Sequence, residues 1–208
     1  MKILVCIIGQ LRYNSLTWSK FKENVIDHLN ADLLYCGPDE HPYAKYNIKS
    51  VAIISNKNIN ADAIVQHRRN LYKNLPEGYD QYILTRSDHL WYGPHPILDD
   101  THTWFMNCEF HFGISDRHWV IPSSKMKEYC IIDDFDHVKF RNIEHYLWNI
   151  VKWGPDTSLT YFPMFLCDEN GNPRRLDELE SPRDTFMWPF KINHMHLSKN
   201  GMFCGAII

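Results

Sequence analysis

The stretch Asp80-Gln-Tyr-Ile-Leu-Thr-Arg-Ser-Asp-His-Leu-Trp-Tyr-Gly-Pro94 holds an apolar strand, Tyr82 to Thr85, that ends in Arg86, Ser87 and Asp88 and then runs into a turn. Open α/β sheets take ligands in the crevice outside the carboxyl ends of their strands. The segment therefore delivers a carboxylate and a guanidinium to the working edge of such a sheet. One acid beside a basic group suits a divalent cation holding a diphosphate. The structural alternative is a polar strand-to-loop junction in which Asp88 caps the turn.

Upstream, the pattern agrees with a parallel sheet. Ile3 to Ile8 is an unbroken apolar run closed by Gly9, as expected of a strand buried on both faces. Trp18, Phe21, Val25, Ile26 and Leu29 then trace one face of a helix. Ala31 to Cys36 reads as a second strand stopped by Gly37-Pro38, Val51 to Ser55 as a third, and Asn60 to Leu75 as a helix ending before Pro76. This alternation predicts an α/β fold with right-handed crossovers.

Downstream the reading is mixed. Thr103 to Phe112 and Trp119 to Ile121 are expected strands, Ser123 and Ser124 can cap a short helix through Cys130, and Ile143, Leu147, Ile150 and Val151 mark a longer helix. Asp168 to Pro182 is polar, contains Asn-Gly and Asn-Pro, and reads as a mobile loop. At 208 residues one domain is expected.

With 22 basic and 25 acidic residues the chain has no global field that favours nucleic acid or an anionic membrane. The apolar run at Ile3–Ile8 is too short for a signal-peptide core or a membrane span, so a cytoplasmic protein is expected. Six cysteines without a CxxC pair fit reduced thiols rather than a zinc ribbon or a disulfide scaffold.

Four clusters carry chemistry. Gly9-Gln10-Leu11-Arg12 follows the first strand, where Gly9 lets the backbone approach a ligand and Arg12 offers donors to a phosphate. It is neither a P-loop nor a dinucleotide fingerprint. Arg86-Ser87-Asp88 is the second. The third is Gly113-Ile-Ser-Asp-Arg-His-Trp119, in which Asp116 is a candidate general base toward a hydroxyl, or else pairs with Arg117. The fourth is His194-Met-His196, which on a strand would point both imidazoles the same way.

The opening ILVCIIGQLR, the strand YILTRSDHLW and the later FGISDRHWV together resemble small glycosyltransferases of the GT-A fold, in particular the group encoded by large viruses of chlorella-like algae. That resemblance implies a Rossmann-like, mainly parallel mixed sheet flanked by helices, with about 1–100 as the nucleotide-sugar-binding half and about 101–208 as a smaller acceptor-side region. It also implies a nucleoside-diphosphate sugar donor, by preference a UDP-sugar, a glycan or glycoprotein acceptor, and a divalent metal, Mn²⁺ or Mg²⁺. The family's metal sits at an Asp-x-Asp motif ending the fourth strand. Here Arg86 stands in place of the first acid, so Asp88 alone matches. His194 or His196 would supply the missing ligand, or Arg86 itself would neutralise the diphosphate. Arg12 and Arg69 would stabilise the leaving group, and Gly9, Gln10, Tyr13 and Ser55 would meet the nucleotide by position in the fold. The competing reading is a non-catalytic nucleotide- or carbohydrate-binding domain, which the Arg86 replacement favours.

Overall fold

The computed structural model describes residues 1–51, 59–106, 115–130, 144, 146–147, 155–172, 196–197 and 203–204. Ser55 and His194 lie outside these residues, as does the stretch of the expected loop beyond 172.

The first strand, β1 (Ile3–Ile8), lies inside the sheet, third from one edge. Its side chains alternate between two cores. Ile3, Val5 and Ile7 face Phe21 and Val25, whereas Leu4 and Cys6 face Val65, Leu71, Met126 and Tyr129. Both faces are covered, which is why the sequence reads as a continuous apolar run rather than an alternating one. Helix α1 (Asn14–Phe21), extended by a π-helical stretch over Lys22–Asp27, brings Phe21 and Val25 to the first core. Helix α2 (Ile59–Lys73) and the short α3 (Met126–Cys130) bring the others. A 3₁₀ turn over Ser123–Lys125 leads into α3 from Pro122, and it makes no side-chain cap, in contrast to the Ser123–Ser124 expectation.

Beside β1 stand β2 (Asp32–Gly37) and β4 (Gln81–Thr85), both parallel to it. The third strand differs from expectation: β3 is Tyr46–Lys49, parallel to β2, and only Val51 of the expected Val51–Ser55 run is described. Beyond β4 come β7 (Trp119–Pro122), β6 (Thr103–Met106) and β8 (Thr157–Thr160), giving one sheet in the order β3-β2-β1-β4-β7-β6-β8. The β7 strand is antiparallel to both β4 and β6, while β6 and β8 are mutually parallel, so β7 alone runs backwards. The fold is thus a Rossmann-like, mainly parallel α/β sheet flanked by helices. Two smaller pairings, β5 (His89–Trp91) with β9 (Met164–Leu166) and β10 (His196–Leu197) with β11 (Phe203–Cys204), complete the described elements.

Two consequences position the site. The chain leaves β1 toward β2 and β3 on one side, then returns to place β4 on the other. A ligand crevice is expected where the order reverses, at the carboxyl ends of β1 and β4. Because β7 runs the opposite way, with Trp119 opposite Leu84, residues entering β7 reach that same edge.

Candidate functional site

At the end of β1 the backbone is held tightly. The Gly9 N–H donates to the Cys36 carbonyl at 2.9 Å, the Gly9 carbonyl accepts from the Tyr35 hydroxyl at 2.9 Å, and Gly9 has φ +90°. Gly37 closes on the same carbonyl: a Cβ added there would lie 2.3 Å from the Gly9 oxygen and 2.2 Å from the Tyr35 hydroxyl. Tyr13 then opens α1 in the left-handed region at φ +52°, a conformation that costs a non-glycine residue energy and often marks a functional loop.

Ser87 joins this loop to the end of β4. Its hydroxyl accepts from the Arg12 N–H at 2.8 Å and lies 3.0 Å from the Gln10 carbonyl, while its own carbonyl accepts from the Thr17 hydroxyl at 2.6 Å. The 9–13 and 86–88 clusters therefore converge. Gln10 and Arg12 are exposed, with Arg12 Nε 3.4 Å from Gln10 Oε1.

Arg86 and Asp88 form a two-point pair. Arg86 Nε donates to Asp88 Oδ1 at 2.8 Å and Nη2 to Oδ2 at 2.6 Å. The Asp88 side chain is 2% exposed and that of Arg86 is 28% exposed. Burial opposes the Asp88 charge, but the paired hydrogen bonds and charge of Arg86 outweigh it and hold the carboxyl at about 2.

The third cluster reaches the same edge through β7. The His118 ring is 3.0 Å from the Thr85 hydroxyl, fixing the entry to β7 against the last residue of β4. Arg68, fully buried in α2, donates from Nη2 to the Asp116 carbonyl at 2.9 Å and from Nη1 to the Tyr129 carbonyl at 3.2 Å. Its guanidinium lies over the Trp119 ring, 4.2 Å from the centroid. Arg68 thus sets the backbone from which Asp116 projects, while Arg69, the residue chosen from sequence, is a partly buried neighbour on the same helix.

Glu144 was not singled out in the sequence. Burial, and then the charge of Asp116, push its carboxyl up to about 7, while Arg117 and Arg86 pull it back. It therefore belongs to the same electrostatic group as Asp116, Arg117 and Arg86. A lone acid in a helical stretch gives no sequence signal; only the fold assembles it.

Beside β5 lies a chain of buried histidines. Among described contacts, His95 Nδ1 is 2.7 Å from the Pro96 carbonyl, His95 Nε2 is 3.2 Å from His118 Nε2, and Thr85 Oγ1 is 3.4 Å from His89 Nδ1. A carbonyl only accepts, so His95 donates from Nδ1 and receives from His118 Nε2–H. His118 Nδ1 then accepts from Thr85, whose oxygen accepts from His89. Burial pulls His95 down to about 4 and, together with the neighbouring His95 and His89, takes His118 well below the usual range.

The fit of a divalent cation can be judged from the donors. Both Asp88 oxygens carry the Arg86 fork, and the place of a second acid is taken by that guanidinium. Among the described residues no three His, Cys, Asp or Glu side chains gather to hold an ion. The described residues around Asp88 do not fit a divalent cation. His196 is placed in β10, opposite Cys204, by its backbone alone.

The chain is similar to solved glycosyltransferase structures. One is a crystal structure of a glycosyltransferase involved in glycosylation of the major capsid of PBCV-1, at 10% identity and a TM-score of 0.48, covering 77% of this chain and 83% of that one. Another is the galactosyltransferase LgtC in complex with donor and acceptor sugar analogues, at 7% identity and a TM-score of 0.41, covering 77% and 73%. A third is the apo bifunctional glycosyltransferase WbbM, at 10% identity and a TM-score of 0.31, covering 70% of this chain and 30% of that one. No family model and no curated protein matches the sequence. Among the described residues no helix is long and apolar enough to cross a membrane.

Proposed function

We propose that the chain is a glycosyltransferase that moves a sugar from a nucleoside-diphosphate donor, by preference a UDP-sugar, to a hydroxyl of a glycan or glycoprotein acceptor. The observation that carries this reading is Ser87, whose hydroxyl ties the loop after β1 to the turn after β4 at the reversal of strand order. That crevice is where a nucleotide binds in such sheets. In this reading Gly9, Gln10 and Tyr13 approach the nucleoside, and Arg12 and Arg86 face the diphosphate.

Breaking the bond between sugar and diphosphate leaves negative charge on the departing phosphate, and fixed guanidinium donors stabilise it there. The acceptor hydroxyl must lose a proton as it attacks. Asp116 takes that proton in the proposed mechanism, with Glu144 beside it; a carboxyl poised near 7 is matched to proton exchange near neutral pH.

The test is release of UDP from a panel of UDP-sugars by the full chain, with and without candidate glycan acceptors. Acceptor-dependent release that falls by about two to four orders of magnitude in Asp116→Asn or Glu144→Gln supports transfer. Donor binding without turnover for any acceptor favours a non-catalytic carbohydrate- or nucleotide-binding domain.

A further inference from the structure

Resting on the nucleotide-sugar reading, we propose that the donor diphosphate is neutralised by the Arg86 guanidinium, fixed in place by Asp88, without a divalent cation at that carboxylate. Four observations bear on this.

The first is occupancy. A metal-binding carboxylate turns its lone pairs to the ion, yet one acceptor site on each Asp88 oxygen is held by an arm of the same guanidinium, at 2.8 Å and 2.6 Å. This is the two-point geometry that makes an arginine–carboxylate pair strong and directional. The second is charge. A guanidinium is not deprotonated in proteins. A dication on Asp88 would therefore sit beside a permanent positive charge, or would have to expel it from its partner.

The third is exposure. The Asp88 side chain is 2% exposed, too enclosed to meet a ligand, whereas that of Arg86 is 28% exposed and so reaches the solvent side of the pair. Asp88 is accordingly a positioning residue, and Arg86 is the group offered to the phosphate. The fourth is convergence. Ser87, between the two, fixes Arg12 by its backbone N–H at 2.8 Å, so a second cationic side chain leaves from the same junction.

The pair thus performs the neutralising task of a bound ion with a charge built into the chain. A planar guanidinium also pairs with two oxygens of a phosphate at once in a defined direction, which a lysine does not.

The test is calorimetric titration of the full chain with UDP, in EDTA and in Mn²⁺, with thermal melting of each variant as a folding control. The expected result is binding in EDTA that changes less than about twofold with Mn²⁺, and that weakens about tenfold or more in both Arg86→Ala and Arg86→Lys. Arg86→Asp, which pairs a second acid with Asp88, should convert the site to one that needs Mn²⁺. Asp88→Asn should lose affinity in EDTA and in Mn²⁺ alike, because it frees the arginine rather than removing an ion. Binding only in Mn²⁺, abolished by Asp88→Asn and retained in Arg86→Ala, would overturn the inference while leaving the nucleotide-sugar reading intact. Absence of binding in both conditions would overturn that reading and this inference with it.

Discussion

The two faces of the central sheet both pack into buried cores but keep their polar groups in different ways. On the α2–α3 face the most deeply buried polar side chain is a charge: Arg68 lies over Trp119 and is satisfied by two backbone carbonyls, while the less deeply buried His67 is paired with Ser50 at 2.8 Å. The thiols of Cys6, Cys36 and Cys130 share that face and are pushed up by burial, Cys36 to about 11 and Cys130 to about 12. On the α1 face the buried polar groups are neutral imidazoles linked to one another and to Thr85, against Trp91 and Phe162. A charge satisfied by fixed backbone tolerates any pH at which the chain folds. A neutral histidine network does not, so the two faces should respond to different stresses.

The largest effect is expected on the charged face. Arg68→Ala leaves the Asp116 and Tyr129 carbonyls without their donor and opens a cavity against Trp119, so a loss of about 4 kcal/mol is expected in denaturant unfolding. If that variant unfolds with nearly wild-type stability, the face does not depend on its buried cation.

Acid should act on the other face. An unfolded histidine titrates near 6.5, whereas the folded His95 is held at about 4, so below the first value the unfolded chain binds the proton that the folded chain refuses. The His95 contribution should be fully present above about 6.5, decline as pH falls and level off near 4, a loss on the order of 3 kcal/mol, while Glu144, held up at about 7, acts in the opposite sense as it takes up its proton. Melting followed from pH 7 to pH 4 checks this. The fall due to His95 should persist in Arg68→Ala and be missing from His95→Phe, which fills similar volume beside Trp91.

A middling effect is expected at the β1 end, where Gly37→Ala would press a methyl onto the Gly9 carbonyl and the Tyr35 hydroxyl. A loss of about 2–3 kcal/mol is expected, together with weaker UDP binding, because the loop it displaces is the proposed donor loop. The smallest is Ser87→Ala, which removes one acceptor from the Arg12 N–H; about 1 kcal/mol of stability should go, with a larger proportional fall in UDP affinity.

Much of the first half was legible because its physics is local. The run Ile3–Ile8 is a strand with those bounds, since both faces are covered and every residue must be apolar. The strand Tyr46–Lys49 carries no such signal, for the converse reason. Tyr46–Lys49 lies at the sheet edge, its residues alternately half-buried and exposed, so it lacks the apolar run that Val51–Ser55 displays. The reversed direction of β7 has no local mark in a four-residue strand.

At the site, the strand-end clusters at 9–12 and 86–88 were visible from residue type and position. Their joint was not, because Ser87 looks like a spacer between two charged residues. Arg68 and Arg69 are one residue apart on a helix, about 100° in rotation, and only packing decides which turns inward. Glu144 becomes notable only where burial and Asp116 meet it.

The reversed strand also bears on synthesis. In a ribosome-bound chain of about 100 residues, β1, β2, β3 and β4 are all present, but the partner of β4's outer edge, Trp119–Pro122, has not yet been made. All five residues of β4 are buried in the finished molecule, so that edge is an apolar strand with open hydrogen-bonding groups, the feature that recruits other chains. The amino-terminal half is therefore poorly suited to life as a separate fragment, and β7 acts as the cover that closes this edge once it has been made.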